Sequence, residues 1–158
     1  MTYELLFNLI NASVLPAWAL LILAPKWNVT TKLVHSMFYP LLLGGVYFGL
    51  MIASMGFGVG SSPKDPAVDF TTLDGVRAIF GTDMGVIIGW AHYLVFDLFV
   101  GAWEARDAQR RGFHHWLLIP CLLLTFMLGP VGVLLYLVLR KVTNKGGWSL
   151  DRGLINKP

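Results

Sequence analysis

"HHWLLIPCLLLTFMLGPVGVLLYLVLR", residues 114–140, decides how this chain folds. Between Trp116 and Leu139 it holds no Asp, Glu, Lys or Arg. A helix needs about 20 apolar residues to cross a bilayer core, so the run is long enough to span. The "GPVG" at 129–132 interrupts it. Pro130 removes one helical hydrogen bond and its ring crowds the preceding turn. Two readings follow, a kink within a span or a break that lines a cavity with its freed carbonyl satisfied by neighbours. Both place a fourth membrane span over 116–139.

Three further runs precede it, at about 3–24, 34–56 and 83–103, the last with a helical pattern that continues to Arg110. The chain has 158 residues, 56% hydrophobic and 13% charged. Soluble domains carry about 25% charged residues, so the composition is that of a membrane protein. The expected fold is an all-α, four-transmembrane-helix bundle forming a single integral membrane domain over 1–158, with a polar tail at 140–158. "NVTTK" offers Thr30 or Thr31 as N-cap of the second span, and "GTDMG" offers Thr82 or Asp83 for the third. The connection from 61 to 82 opens with the turn-forming "SSPKDP". Its "FTTLDGVRAIF" spaces apolar residues as a short amphipathic helix does, between spans two and three. Small residues at Gly45, Gly49 and Ala53, and at Gly85 and Gly89, suit close helix packing.

Four spans put both termini and the long connection on one face, A, and the shorter connections on the other, B. Face A then carries Lys64, Arg77, Arg140, Lys141, Lys145, Arg152 and Lys157, and face B carries Lys26, Lys32, Arg106, Arg110 and Arg111. This small excess favours cytoplasmic termini. No basic stripe suggests nucleic acid. The lone Cys121 excludes an internal disulfide and thiolate clusters.

Ionisable groups inside spans are costly, and they usually face the bundle interior and mark function. "HYLVFDLFVGAWEARDAQRRGFHHW", 92–116, concentrates them. Asp97 sits in the middle of an apolar run. Glu104, seven residues on, shares its helix face at about 10.5 Å along the axis, too far to chelate one ion readily with it. Glu104 and Asp107, three apart, are neighbours. His92 points about 140° from Asp97. His35, Glu104, Asp107, His114 and His115 gather toward face B, with Tyr39 one turn after His35. Such a set is a candidate site for non-haem iron or another divalent metal, or for acid–base catalysis by Asp97, His92, Asp107 and Glu104. The competing reading of residues 104–111 is a solvated helix end laced with local ion pairs. Asn8 and Asn11 on the first span are candidate partners for Asp97.

Trp90, His92, the "DLF" at 97–99, Asp107, a His before the last run, and Pro130 with Gly132 together resemble the neoxanthin-synthase-like family. Its plant members act in abscisic acid biosynthesis, where they are linked to converting an epoxy-carotenoid into an allenic one. The resemblance implies a membrane enzyme that isomerises or rearranges a carotenoid, with His92, Asp97, Asp107 and His114 or His115 matching the pattern. Tyr39, Trp90, Phe99 and Pro130 become the candidate contacts for the polyene. Where the plant pattern places an Arg after "DLF", this chain reads "VGAWE". The implied substrate is therefore a simpler carotenoid or another polyene. No transit peptide is apparent, so a bacterial inner-membrane protein is expected, with a homo-oligomer compatible. The alternatives are a metal-dependent carotenoid oxygenase and a non-enzymatic pigment- or lipid-binding protein.

Overall fold

The computed structural model describes residues 2–60 and 69–148. The "SSPKDP" turn and the tail beyond Trp148 lie outside the described residues. Those residues form seven helices: α1 Tyr3–Leu23, α2 Asn28–Leu33, α3 Phe38–Phe57, α4 Leu73–Ile79, α5 Asp83–Arg111, α6 His115–Leu128 and α7 Pro130–Val142. Three of them, α1, α3 and α5, are long and apolar enough to cross a membrane. The chain divides into two compact units, Met1–Pro16 with Ser36–Phe96, and Ala17–His35 with Asp97–Pro158.

The first unit is built on apolar side chains of α1, α3 and α5. Ile10, Val14, Leu43, Met84, Ile87 and Leu94 are buried there. Thr82 caps α5, accepting a hydrogen bond from the Gly85 amide at 3.1 Å. Thr72 does the same for α4, accepting from the Gly75 amide at 3.1 Å. Gly89 packs on the Phe80 ring, with room for no side chain. Gly45 and Gly49, expected at a tight contact, instead face open space, where an added methyl would meet nothing within 4 Å.

The second expected span starts later than the apolar pattern suggests. Thr30 and Thr31 cap nothing in α3, because they belong to the separate helix α2. Thr30 donates to the Ala24 carbonyl at 2.6 Å and Thr31 to the Trp27 carbonyl at 3.3 Å. Pro40 gives the reason. In one helix running from α2 into α3, its ring would clash with the carbonyl of Ser36. The chain breaks at 34–37, and Pro40 falls in the first turn of α3, where its missing N–H costs nothing. His35 therefore lies in a connection and not in a span.

The largest departure concerns residues 116–139. They are not one helix. Gly129 takes φ +50° and ψ −100°, a conformation outside the regions open to L-residues. Pro130 follows as the first residue of α7, where its fixed φ suits a helix start. The glycine ends one helix, the proline begins another, and the direction reverses. The aromatic rings of Phe113 and Tyr136 lie 5.5 Å apart. In a continuous helix, 23 residues would separate them by about 34 Å. Gly132 seals the hairpin, because any side chain there would collide with the Thr125 amide and hydroxyl and the Cys121 carbonyl. By rise per residue α6 is about 21 Å long and α7 about 20 Å. Neither spans a hydrocarbon core of about 30 Å.

Candidate functional site

The α6–α7 hairpin brings three carboxylates of α5 against three depths of itself. All belong to the second compact unit. α5 buries a smooth face there: Ala102, Ala105 and Ala108 are at most 3% exposed, and Gly101 packs against the Trp18 ring. Small residues let neighbouring backbones come close, so longer side chains on the same face meet partners directly.

Asp97 lies at the hairpin turn. It is 8% exposed. A methyl on Gly129 would stand 2.9 Å from its Oδ1, so the turn glycine leaves the space the carboxylate uses. Glu104 lies two turns further along α5 and is fully buried. Its oxygens accept from the Thr125 hydroxyl of α6 at 3.0 and 3.2 Å. Asp107 lies near the mouth of the hairpin and is 5% exposed. It accepts from Arg111 Nε at 2.7 and 2.8 Å, from the Tyr136 hydroxyl at 2.7 Å and from Arg140 Nη1 at 2.6 Å. Arg140 also donates to the Gly147 carbonyl at 2.5 Å, and Tyr136 is boxed by the rings of Trp103 and Phe113. The end of α5 is therefore solvated on one side only, at Gln109 and Arg110. Its other side is a buried ion-pair cluster in which two guanidiniums share one carboxylate.

This arrangement separates roles that residue type alone leaves equivalent. Asp107 accepts from two guanidiniums and a phenol, which ties α5 to α7. Glu104 has no accessible surface and meets the Thr125 hydroxyl. Asp97 is the carboxylate of the three set at the turn, with a remnant of accessible surface.

The other candidates are dispersed. His92 is exposed and lies in the first unit, its ring 5.5 Å from Tyr47 and 4.6 Å from Phe96. Trp90 donates through Nε1 to Asn11 Oδ1 at 2.9 Å and stacks on Tyr93 at 5.2 Å. Asn11 thus accepts from Trp90, and its amide donates to the Phe7 carbonyl at 2.9 Å. Tyr39 is buried, in edge contact with Phe38. Phe99 is 47% exposed, and Pro130 is exposed beside the hairpin turn.

Among the described residues no group of three or more His, Cys, Asp or Glu is placed to hold an ion. The His35 Nε2 lies 3.3 Å from the Pro25 carbonyl and the His115 Nε2 lies 2.7 Å from the Ile22 carbonyl. Burial, and then the charge of Arg106, hold His35 below its ordinary pKa despite the Pro25 contact. His114 is exposed at the start of α6. It lines an open pocket of about 520 Å³ with His115, Lys26, Trp27 and Gln109.

Thr125, Tyr136, Arg140 and Gly129 escape a reading of the sequence that runs one helix through 116–139. On that reading Arg140 belongs at the opposite end from Asp107. The "GP" pair, a helix stop followed by a helix start, is the signal that finds them.

A family described as ABA DEFICIENT 4-like matches residues 5–136. The chain is 27% identical over 145 residues to "Protein ABA DEFICIENT 4, chloroplastic" of Arabidopsis thaliana, covering 85% of this chain and 60% of that one. It thus spans about 60% of the length of that relative. No solved structure matches. With its match over most of the sequence, the chain belongs to the ABA DEFICIENT 4-like family.

Proposed function

We propose that this chain is a carotenoid-processing protein of the membrane that rearranges a carotenoid or related polyene by acid–base chemistry, with Asp97 handling the proton. Family membership and the apolar helices support the setting. The observation that carries the assignment to Asp97 is its placement at the Gly129 turn with 8% exposure, while Glu104 has none.

The chemistry needs one mobile proton. Given by a carboxyl group to an epoxide oxygen, it lets the C–O bond open with its electron pair on oxygen. Removal of a proton from the adjacent polyene carbon returns that C–H pair to the chain as a new double bond. The carboxyl is regenerated, and no net redox change occurs. A single group that first gives and then takes the proton suffices. On this reading Phe99 and Pro130 flank the reacting end, and the bundle is embedded in a bacterial inner membrane as one domain.

The test is pigment chromatography of cells that make β-carotene or epoxy-carotenoids, with and without this chain. A new pigment with the wild-type chain, lost in Asp97→Asn, supports the reading. An unchanged profile on every substrate, with the protein folded, contradicts it.

One observation favours a second reading. Tyr47, His92 and Phe96 form an outward aromatic cluster in the first unit, a surface suited to holding a polyene without altering it. Pigment that co-purifies unchanged, and is lost in His92→Ala but not in Asp97→Asn, would select this reading.

A further inference from the structure

The hairpin has a consequence for sidedness. If α1, α3 and α5 cross a bilayer, α5 ends on face B, and α6 enters the membrane from that face. Because the chain reverses at Gly129, α7 returns to it. Arg140 meets Asp107 and the Gly147 carbonyl, and a side chain on Gly146 would run into the Arg111 guanidinium. The end of α7 is thereby tied to the end of α5. α6 and α7 are each too short to span, as expected of a re-entrant pair whose backbone is shielded by protein.

This changes the charge balance. On a four-span reading Arg140, Lys141 and Lys145 belong to face A. The hairpin moves all three to face B, beside the five cations already there. Among the described residues face B then carries eight of the nine Lys and Arg, and face A carries Arg77 alone. Lysine and arginine near span ends are retained on the cytoplasmic side, and cations in that position attract anionic headgroups. Lys141 lies over the Trp148 ring at 4.7 Å, an aromatic and a cation paired as at a headgroup boundary. Lys145 is exposed beside Gly112, and Nη2 of Arg111 is buried without a hydrogen-bond partner among the described residues.

We propose that α6–α7 is a re-entrant hairpin, and that the joined ends of α5 and α7 form a surface for anionic phospholipid headgroups of the cytoplasmic leaflet. The start of α1 and the helix α4 lie on the opposite side. This rests on the three spans and is independent of the pigment chemistry.

The test uses the full chain in a Cys121→Ser background with single cysteines at the exposed positions Asn28, Thr71 and Val142. Intact host cells are treated with a membrane-impermeant maleimide before and after permeabilisation. Positions 28 and 142 should react only after permeabilisation, and position 71 before it. Labelling of 28 and 142 from opposite sides would overturn the re-entrant hairpin, and labelling of both from outside would overturn the orientation. In nanodiscs, phosphatidylglycerol should raise the melting temperature above that in phosphatidylcholine. The double variant K141Q/K145Q, which changes only exposed side chains, should lose at least half of that difference. No lipid dependence, or an equal one in the variant, would overturn the headgroup surface.

Discussion

Removing one member of the Asp107–Arg140 pair is expected to cost far more without the other partner's removal than with it. Arg140 is fully buried and Asp107 is 5% exposed, so solvent screens neither. Arg140→Met loses the hydrogen bonds to Asp107 and to the Gly147 carbonyl. Bonds to charged groups contribute about 1.5–3 kcal/mol each, and burial of the methionine returns part of the loss, which leaves about 3 kcal/mol. Asp107→Asn strands two buried guanidiniums beside each other and should cost about 3–5 kcal/mol. In the double variant the Asp107–Arg140 bond is already gone, so the two effects overlap by about 1.5–3 kcal/mol. For a chain of this size each kcal/mol lowers the melting temperature by roughly 2–4 °C. The assay is reversible unfolding in mixed detergent of the wild type, both single variants and the double variant. Independent distant sites add to within about 0.5 kcal/mol. Additivity at that level would refute the contact and, with it, the return of α7 to the end of α5.

Other consequences can be checked in the same preparation. Gly132→Leu forces a side chain into the Thr125 backbone and the Cys121 carbonyl, which cannot swing away, so the variant should fail to give a monodisperse peak in size-exclusion chromatography. Thr125→Val keeps the shape but withdraws the hydroxyl from fully buried Glu104, at a cost of about 1–3 kcal/mol in the same unfolding assay, whereas Thr125→Ser should restore most of it. His35 binds its proton less readily in the fold than in the unfolded chain, because burial disfavours its charged form. The unfolded state then takes up protons first, so stability falls as pH drops below about 6.5 and is regained above it. An NMR titration should show a depressed midpoint for His35, and His35→Asn should flatten the acid limb of the stability curve.

The residue pattern carries the coarse fold well. Three apolar runs became α1, α3 and α5, and the Thr82 cap follows from its position before Asp83. Two features escaped for definite physical reasons. Apolar periodicity runs straight through Val34 and His35, yet Pro40 disfavours a helix that includes Ser36. Hydropathy likewise runs through 116–139, because a hairpin of two apolar half-helices is as apolar as one span. What separates the two is the Gly129–Pro130 pair, a glycine at φ +50° ending one helix and a proline opening the next, which hydropathy does not register. Asp97, Glu104 and Asp107 share α5, while His35, His114 and His115 lie on other segments, and helix spacing already divided His92 from Asp97. Their partners were not legible, since Thr125, Tyr136 and Arg140 reach α5 only after the chain reverses.

That reversal underlies the division of roles among Asp97, Glu104 and Asp107, and it can be measured as one distance. Spin labels at His114 and Val142, both exposed, bracket the hairpin. Packed helices lie about 8–10 Å apart, so labels at the two ends of the hairpin should give a distribution centred below about 25 Å, linker included. A continuous helix would place the two backbones about 42 Å apart. A short-distance peak is the predicted result, and a dominant peak near 40 Å would contradict the account.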